Sequence, residues 1–264
     1  MIISKIATYY GPLKEKFGVP RQSGLATGLK GRIVFEPEYR DANALRGLDG
    51  FERLWLLWGF SANRESWSPT VRPPRLGGNK AMGVFATRSP FRPNPIGLSA
   101  VCLDNIEFSA DGPVLHVSGA DLMDGTPIYD IKPYVAYADA FPGSRSGFVD
   151  DTAWEPLEVV IPEDVRAVLG DTTALEQVLK QDPRPQYRRS NSLASEENYF
   201  SGRDQKNQFS SSEKACAPET VASDKADTLQ RTYGLIYDRW NVKFSVVDNV
   251  LTVLSVEPDK KKSI

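Results

Sequence analysis

The chain has 264 residues, 41% of them hydrophobic, enough for one large core or for a main domain with a smaller companion. No apolar run reaches the roughly 18 to 20 residues a membrane helix needs, the longest being Leu54 to Phe60, which excludes a helical membrane protein. One histidine, two cysteines and a net charge of −2 exclude a disulfide framework, a Cys-rich or multi-histidine metal site and a histidine-dependent triad, and speak against a uniformly basic nucleic-acid binder.

The N-terminus, Met-Ile-Ile-Ser-Lys-Ile, lacks the charged, apolar and small-residue order of a signal peptide, so a cytoplasmic location is expected. The first 140 residues read as short strands between Gly and Pro turns: Ile2 to Tyr9, Gly31 to Phe35, Leu54 to Phe60, Met82 to Ala86, Leu98 to Phe108, Val114 to Ser118 and Thr126 to Lys132. A single short helix is expected over Ala42 to Gly50. Strands without long alternating helices predict a barrel or sandwich, and neither a Gly-x-Gly-x-x-Gly turn after a strand nor a Walker lysine loop occurs. The lone His116 sits in an alternating run and reads as a structural or surface residue. Cys102 lies in a strand pattern and Cys216 in a polar stretch.

After an irregular stretch from about Ala140 to Glu155, Leu157 to Ile161 reads as a strand. Pro162-Glu163-Asp164 starts a helix with acids at its positive end, and Ala174 to Lys180 forms a second. Ser190 to Thr228 holds eight serines in 39 residues and too little apolar surface to offset chain entropy, so a mobile insertion is expected at 190–228. Three strands follow, Tyr233 to Asp238, Trp240 to Val247 and Val250 to Val256, with Asp248-Asn249 as a tight hairpin. The fold class is therefore mainly β: a small β-barrel N-terminal domain over 1–140 plus a smaller α+β C-terminal domain over 141–264.

The densest chemistry lies in Met82 to Ser99, where Arg88 and Arg92 sit among Pro90, Pro93 and Pro95. Proline fixes the backbone, so the two guanidinium forks are held at set positions suited to a carboxylate or phosphate; the plain alternative is a surface turn solvated by its arginines. Between Arg64 and Arg92 there are six basic residues, Arg64, Arg72, Arg75, Lys80, Arg88 and Arg92, against one acid, Glu65, with Trp67, Phe85 and Phe91 interleaved. A local basic run matters more than total charge when a partner touches one face, and this mixture can stack bases while holding phosphates, although aromatics beside strands are commonly core. Gln181 to Arg189 is again basic, rigid and aromatic, and two such segments can form one groove.

Together with Pro20-Arg21-Gln22, Val71-Arg72-Pro73-Pro74-Arg75-Leu76-Gly77-Gly78-Asn79, Gly83 to Gly97, Asp121-Leu122-Met123-Asp124-Gly125-Thr126-Pro127, Asp130-Ile131-Lys132-Pro133-Tyr134 and Asp182-Pro183-Arg184-Pro185, the chain resembles the TsaA-type tRNA methyltransferases, the TrmO family. The resemblance covers most of the chain except the serine-rich stretch. It implies an S-adenosylmethionine-dependent enzyme on a small β-barrel, working as a homodimer, with a C-terminal domain that helps hold tRNA. The implied reaction is methylation of N6 of threonylcarbamoyladenosine at position 37, beside the anticodon.

Carried over by motif, the S-adenosylmethionine contacts fall on Pro20, Arg21, Gln22, Ser61, Ala62, Arg88, Leu98 and the turn Asp121, Leu122, Met123 and Asp124. Ser61-Ala62 stands where some members have His-Gln, a change that backbone contacts survive. Arg21 and Arg88 suit the cofactor's carboxylate, and Asp121 or Asp124 its ribose or amino hydrogens, though Asp124-Gly125 alone also reads as an ordinary turn. Arg72, Arg75, Arg92, Arg184 and Arg188 are candidates for the tRNA, with Arg92 serving substrate and Arg88 cofactor. The general base is open among Asp121, Asp130 and Tyr134. No metal and no membrane are expected. Two competing readings are a non-catalytic RNA-binding barrel and a methyltransferase acting on a small metabolite, the latter predicting that Arg184, Arg188 and Arg189 are dispensable.

Overall fold

Alternation dictates the main architecture: in Arg53 to Gly59, Leu54, Leu56 and Trp58 point inward while Trp55 and Leu57 are only half-buried. The computed structural model describes residues 2–63, 66–77, 80–152, 155–184 and 231–259. In chain order its strands are β1 (Ala7–Tyr10), β2 (Lys30–Phe35), β3 (Arg53–Gly59), β4 (Thr70–Val71), β5 (Met82–Gly83), β6 (Ile96–Ser109), β7 (Gly112–Ser118), β8 (Thr126–Pro133), β9 (Glu158–Val160), β10 (Thr232–Tyr237), β11 (Trp240–Val247) and β12 (Val250–Pro258). The α-helices are α1 (Ala136–Asp139), α2 (Glu163–Leu169) and α3 (Thr173–Lys180).

Strands β1-β2-β7-β6-β3-β8 close a barrel, and β10-β11-β12-β9 form a separate four-stranded sheet in which β9 runs parallel to β12. This is the expected mainly β architecture, a small barrel with a smaller α+β unit. The barrel is filled by inward residues such as Tyr9, Ile33, Leu54, Leu115, Val117 and Ile128. The four-stranded sheet and helices α2 and α3 bury a second core around Leu175, Leu179, Leu235, Phe244 and Val253. That second core also takes Leu13, Ala26 and Leu29 from the loop between β1 and β2. The same loop is tied to the second sheet by a Leu13–Tyr237 bridge and by Asp238 N–H donating to Pro12 O at 2.6 Å. It is tied to α3 by Gly28 N–H donating to Gln177 Oε1 at 2.8 Å.

Three local expectations need correction. Ladder pairing starts at Ala7 rather than Ile2, because its partner strand ends at Phe35 and Pro37 opens a 3-10 turn; Ile2 and Ile3 are left exposed. The helix expected over Ala42 to Gly50 is two 3-10 turns, Ala42–Leu45 and Leu48–Gly50, because Arg46 is extended and Gly47 adopts φ 83°, a left-handed conformation that stops a helix. The strand expected over Met82 to Ala86 lasts two residues, since its partner β4 is confined between Pro69 and Pro73, and the chain then tightens into a 3-10 turn over Val84–Ala86. The expected insertion at 190–228 lies outside the described residues.

Among the described residues one buried side-chain polar atom is unsatisfied: the Tyr9 hydroxyl has no hydrogen-bond partner, in a space left by Gly11 and Gly31. Burial first, then the charges of Asp124 and Asp121, push its ionisation upward. A desolvated hydroxyl without a partner costs roughly 1–3 kcal/mol, while the ring itself fills the barrel. Tyr9→Phe is therefore expected to be neutral or to raise stability by about 1 kcal/mol, read as an increased urea midpoint at unchanged slope.

Candidate functional site

Five stretches of the chain meet at one mouth of the barrel around a cavity of about 520 Å³, a volume typical of small-molecule sites. The β1–β2 loop brings Val19, Pro20, Arg21 and Gln22; the end of β3 brings Trp58 and then Ser61 and Ala62. The proline-rich loop brings Thr87, Arg88, Pro90 and Arg92, and the start of β6 brings Gly97 and Leu98. Asp121 and Met123 enter after β7.

The proline-rich loop is rigid for visible reasons. Thr87 Oγ1 donates to Val84 O at 2.9 Å, and Arg92 Nη1 donates to Val84 O at 3.2 Å and Thr87 O at 2.7 Å. Arg92 thus clasps its own loop while lining the cavity. Arg88 Nη1 donates to Gln22 Oε1, joining this loop to the β1–β2 loop across the cavity. Lys16 Nζ donates to Ala62 O at 3.1 Å and closes the other side.

Asp121 is the one carboxylate among the described residues that line the cavity. It accepts from Ser99 Oγ at 2.5 Å, and Ser99 in turn accepts from Trp58 Nε1 at 2.9 Å, so a buried chain of donors aims at it from the barrel interior. Burial raises its pKa above the usual carboxylate range, opposed by the Ser99 hydrogen bond and the Arg88 charge. Arg21 is half-buried: burial lowers its pKa, the Asp182 carboxylate opposes this and Arg75 adds to it. A guanidinium nonetheless stays charged at neutral pH.

Other candidate residues stand elsewhere. Leu122 is in the barrel core. Asp124 accepts from Gly11 N at 3.0 Å and pairs with Lys14 at 2.9 Å, pinning the start of the β1–β2 loop, and does not line the cavity. Arg72 is exposed, and Arg75 donates to Thr152 O at 3.2 Å. Arg184 grips Asp182 with two parallel bonds, at 2.8 and 3.0 Å. Burial lowers the pKa of Arg184, but this pairing outweighs it and the net shift is upward. Arg188 lies outside the described residues. Of the possible bases, Asp130 pairs with Lys132 at 2.9 Å and Tyr134 packs 5.5 Å from the Trp55 ring; neither lines the cavity. His116 pairs with Glu107 at 2.8 Å on the barrel surface.

Sequence reasoning missed Lys16, Trp58, Gly97 and Ser99. The one available signal was Ser99, a hydroxyl at an inward position of an apolar strand, where a buried polar group needs partners. Among the described residues no group of three or more His, Cys, Asp or Glu can hold a metal ion, and no helix is long and apolar enough to cross a membrane.

The donor set fits S-adenosylmethionine: cationic Arg21 and Arg88 for a carboxylate, Asp121 for hydroxyl or ammonium hydrogens, and apolar Val19, Leu98 and Met123 for flat or methylene surface. Comparison with known proteins points the same way. The family described as the tRNA-methyltransferase O N-terminal domain matches residues 8–140. The tRNA (adenine(37)-N6)-methyltransferase of Escherichia coli K12 is 43% identical over 194 residues, 70% of this chain and 83% of that protein. A Pseudomonas aeruginosa protein, RcsF, named as an S-adenosylmethionine-dependent methyltransferase, is 41% identical over 198 residues, 71% of this chain and 83% of that protein. A crystal structure of TrmO from Pseudomonas aeruginosa aligns with a TM-score of 0.65 at 28% identity, covering 97% of this chain and 98% of that one.

Proposed function

Because the chain belongs to the TrmO family of tRNA methyltransferases, we propose that it transfers a methyl group from S-adenosylmethionine to N6 of an adenine in tRNA, specifically threonylcarbamoyladenosine at position 37. It acts as a cytoplasmic homodimer in this reading. The observation that carries the proposal is the cavity in which Arg21, Arg88 and Asp121 converge from three separate segments. The names of the relatives favour this enzyme over a non-catalytic RNA-binding barrel and over a methyltransferase of small metabolites.

The bound cofactor supplies an electrophilic methyl on a sulfonium; the protein's own task is orientation. Arg88, held by Gln22, and Arg21, held in the field of Asp182, meet the carboxylate, while Asp121 accepts hydrogens from the ribose or amino group. Thr87, Pro90 and Arg92 form the rim over which an acceptor adenine reaches the cavity. In-line placement of the acceptor nitrogen is worth more here than covalent assistance, and a stiff rim provides it. The N6 proton of threonylcarbamoyladenosine is already acidified by its carbamoyl group, so the demand on a base is small.

The roles of the two arginines separate experimentally. Arg88→Ala is expected to weaken S-adenosylmethionine binding about 10- to 100-fold in calorimetry, the range for a hydrogen bond to a charged group, while Arg92→Ala chiefly raises the KM for tRNA. The reaction itself is tested with labelled S-adenosylmethionine and two tRNA pools, one carrying threonylcarbamoyladenosine and one from cells unable to make it. Label in the modified adenosine of the first pool alone is the expected result; no label in either pool, despite cofactor binding, overturns the assignment.

A further inference from the structure

Three large aromatic side chains between β3 and β6 belong to neither core: Trp67 is 57% exposed, Phe85 75% and Phe91 40%. Clustered exposed apolar rings on an ordered segment mark a contact surface. Its described residues, 66–77 and 80–95, are held by their own bonds. Ser68 N–H donates to Phe91 O at 3.3 Å and Val84 N–H to Pro69 O at 3.0 Å, and β4 pairs with β5. Arg92 connects the rings to the cavity, because its guanidinium carbon lies 5.7 Å from the Phe85 ring centre while the same side chain lines the cavity wall.

Charge identifies the occupant. Residues 66–103 contain Arg72, Arg75, Lys80, Arg88 and Arg92 and no Asp or Glu. A second copy docking here through a two-fold axis would set this patch against itself, five cations facing five with no acid between them, and protein interface cores are depleted of charge. Unpaired RNA offers what the surface lacks: base faces for the rings and phosphates for the arginines.

We infer that Trp67, Phe85 and Phe91 form a stacking platform for the unpaired nucleotides that flank the adenosine being methylated, with Arg72 and Arg75 holding their phosphates. This rests on the tRNA methyltransferase reading and adds to it a determinant of substrate choice outside the cavity. The platform recognises the splayed, single-stranded form of the anticodon loop, because only unstacked bases expose both faces.

The test uses full-length protein with Phe85→Ala, Phe91→Ala and the conservative Phe85→Tyr, all at exposed positions, with melting temperature recorded for each. Each alanine variant is expected to raise the KM for tRNA about 5- to 150-fold, the range of base–aromatic stacking per base, leaving S-adenosylmethionine affinity unchanged, and Phe85→Tyr is expected to restore the wild-type value. An anticodon stem-loop made abasic beside the target adenosine should lose a similar factor with the wild type and nothing further with Phe85→Ala. An unchanged KM for tRNA in both alanine variants, with the wild type active, overturns the platform alone. Dissociation of a dimer by Phe85→Ala in sedimentation overturns it in favour of a second copy. A wild type that binds the cofactor but does not methylate tRNA overturns the functional reading, and the platform with it.

Discussion

Asp121→Ala is expected to raise the KM for S-adenosylmethionine roughly 100-fold, since a hydrogen bond to a charged group contributes about 1.5–3 kcal/mol and this carboxylate is the one that the cavity's described lining offers. A pH profile distinguishes this from general damage. Burial raises the Asp121 pKa, so the group takes up a proton at a higher pH than an ordinary carboxylate and loses its acceptor capacity there. Cofactor affinity should therefore weaken as pH falls through that raised pKa. Ser99 donates to the ionised form and lowers the pKa, so Ser99→Ala should move the weakening to higher pH.

Stability should move in the opposite sense. A carboxyl whose folded-state pKa is raised contributes stability below its unfolded pKa and loses that contribution as pH rises through the folded value. At neutral pH Asp121→Asn is thus expected to melt higher than wild type, with the difference vanishing in acid, while binding cofactor poorly. Wild-type affinity in Asp121→Ala, or no dependence of the acid limb on Ser99, would remove Asp121 from the binding site.

Gly97→Ala is expected to be strongly disruptive for the addition of a single methyl group. Gly97 lies opposite Trp58 in the β3–β6 ladder, and a Cβ built there stands 2.2 Å from Trp58 Cε2, closer than real Cβ atoms pack. Trp58 also packs against Phe60, with ring centres 4.4 Å apart, and donates to Ser99, so it has little room to retreat. Overpacking of this kind costs about 1–3 kcal/mol. In a protein of this size each kcal/mol lowers Tm by about 2–4 °C. Displacing the indole also takes the Nε1 donor from Ser99 and loosens Asp121, so cofactor affinity should fall at least 10-fold alongside the Tm. A Gly97→Ala protein with unchanged Tm would mean that the indole swings clear without loss.

The barrel was legible because its strands combine alternation with turn residues at both ends; Leu54, Leu56 and Trp58 declare an inward face from spacing alone. Ala42 to Gly50 was not, because local composition suits a helix and the backbone at Arg46 and the left-handed Gly47 breaks it. Met82 to Ala86 is apolar enough for a strand, yet strand length depends on a partner that prolines cut short. In the site, Pro20 to Gln22, Arg88 and Asp121 stood out as motif residues. Leu122 and Asp124 belong to the same motif but face the core and the β1 end, a distinction that backbone geometry makes and residue type does not. An arginine between prolines looks the same whether it awaits an anion or clasps Val84 and Thr87 as Arg92 does. Lys16 acts through a contact with Ala62, 46 residues away, that no linear pattern encodes, and the inward hydroxyl of Ser99 calls for partners without saying that they are Trp58 and Asp121.

Residues 11–29 leave the barrel in the chain but settle on the other core in space, with Leu13, Ala26 and Leu29 buried there and Gln177 binding Gly28 N and the Thr27 hydroxyl. The seam between the two halves therefore does not follow the sequence. A chimera that joins the first half of this chain to the second half of a relative inherits a mismatched loop, and the mismatch falls on Arg21 and Gln22. Successful grafts must carry 11–29 together with α3 and the second sheet, so variation among natural relatives is expected to couple those segments more tightly to each other than either is coupled to the barrel wall.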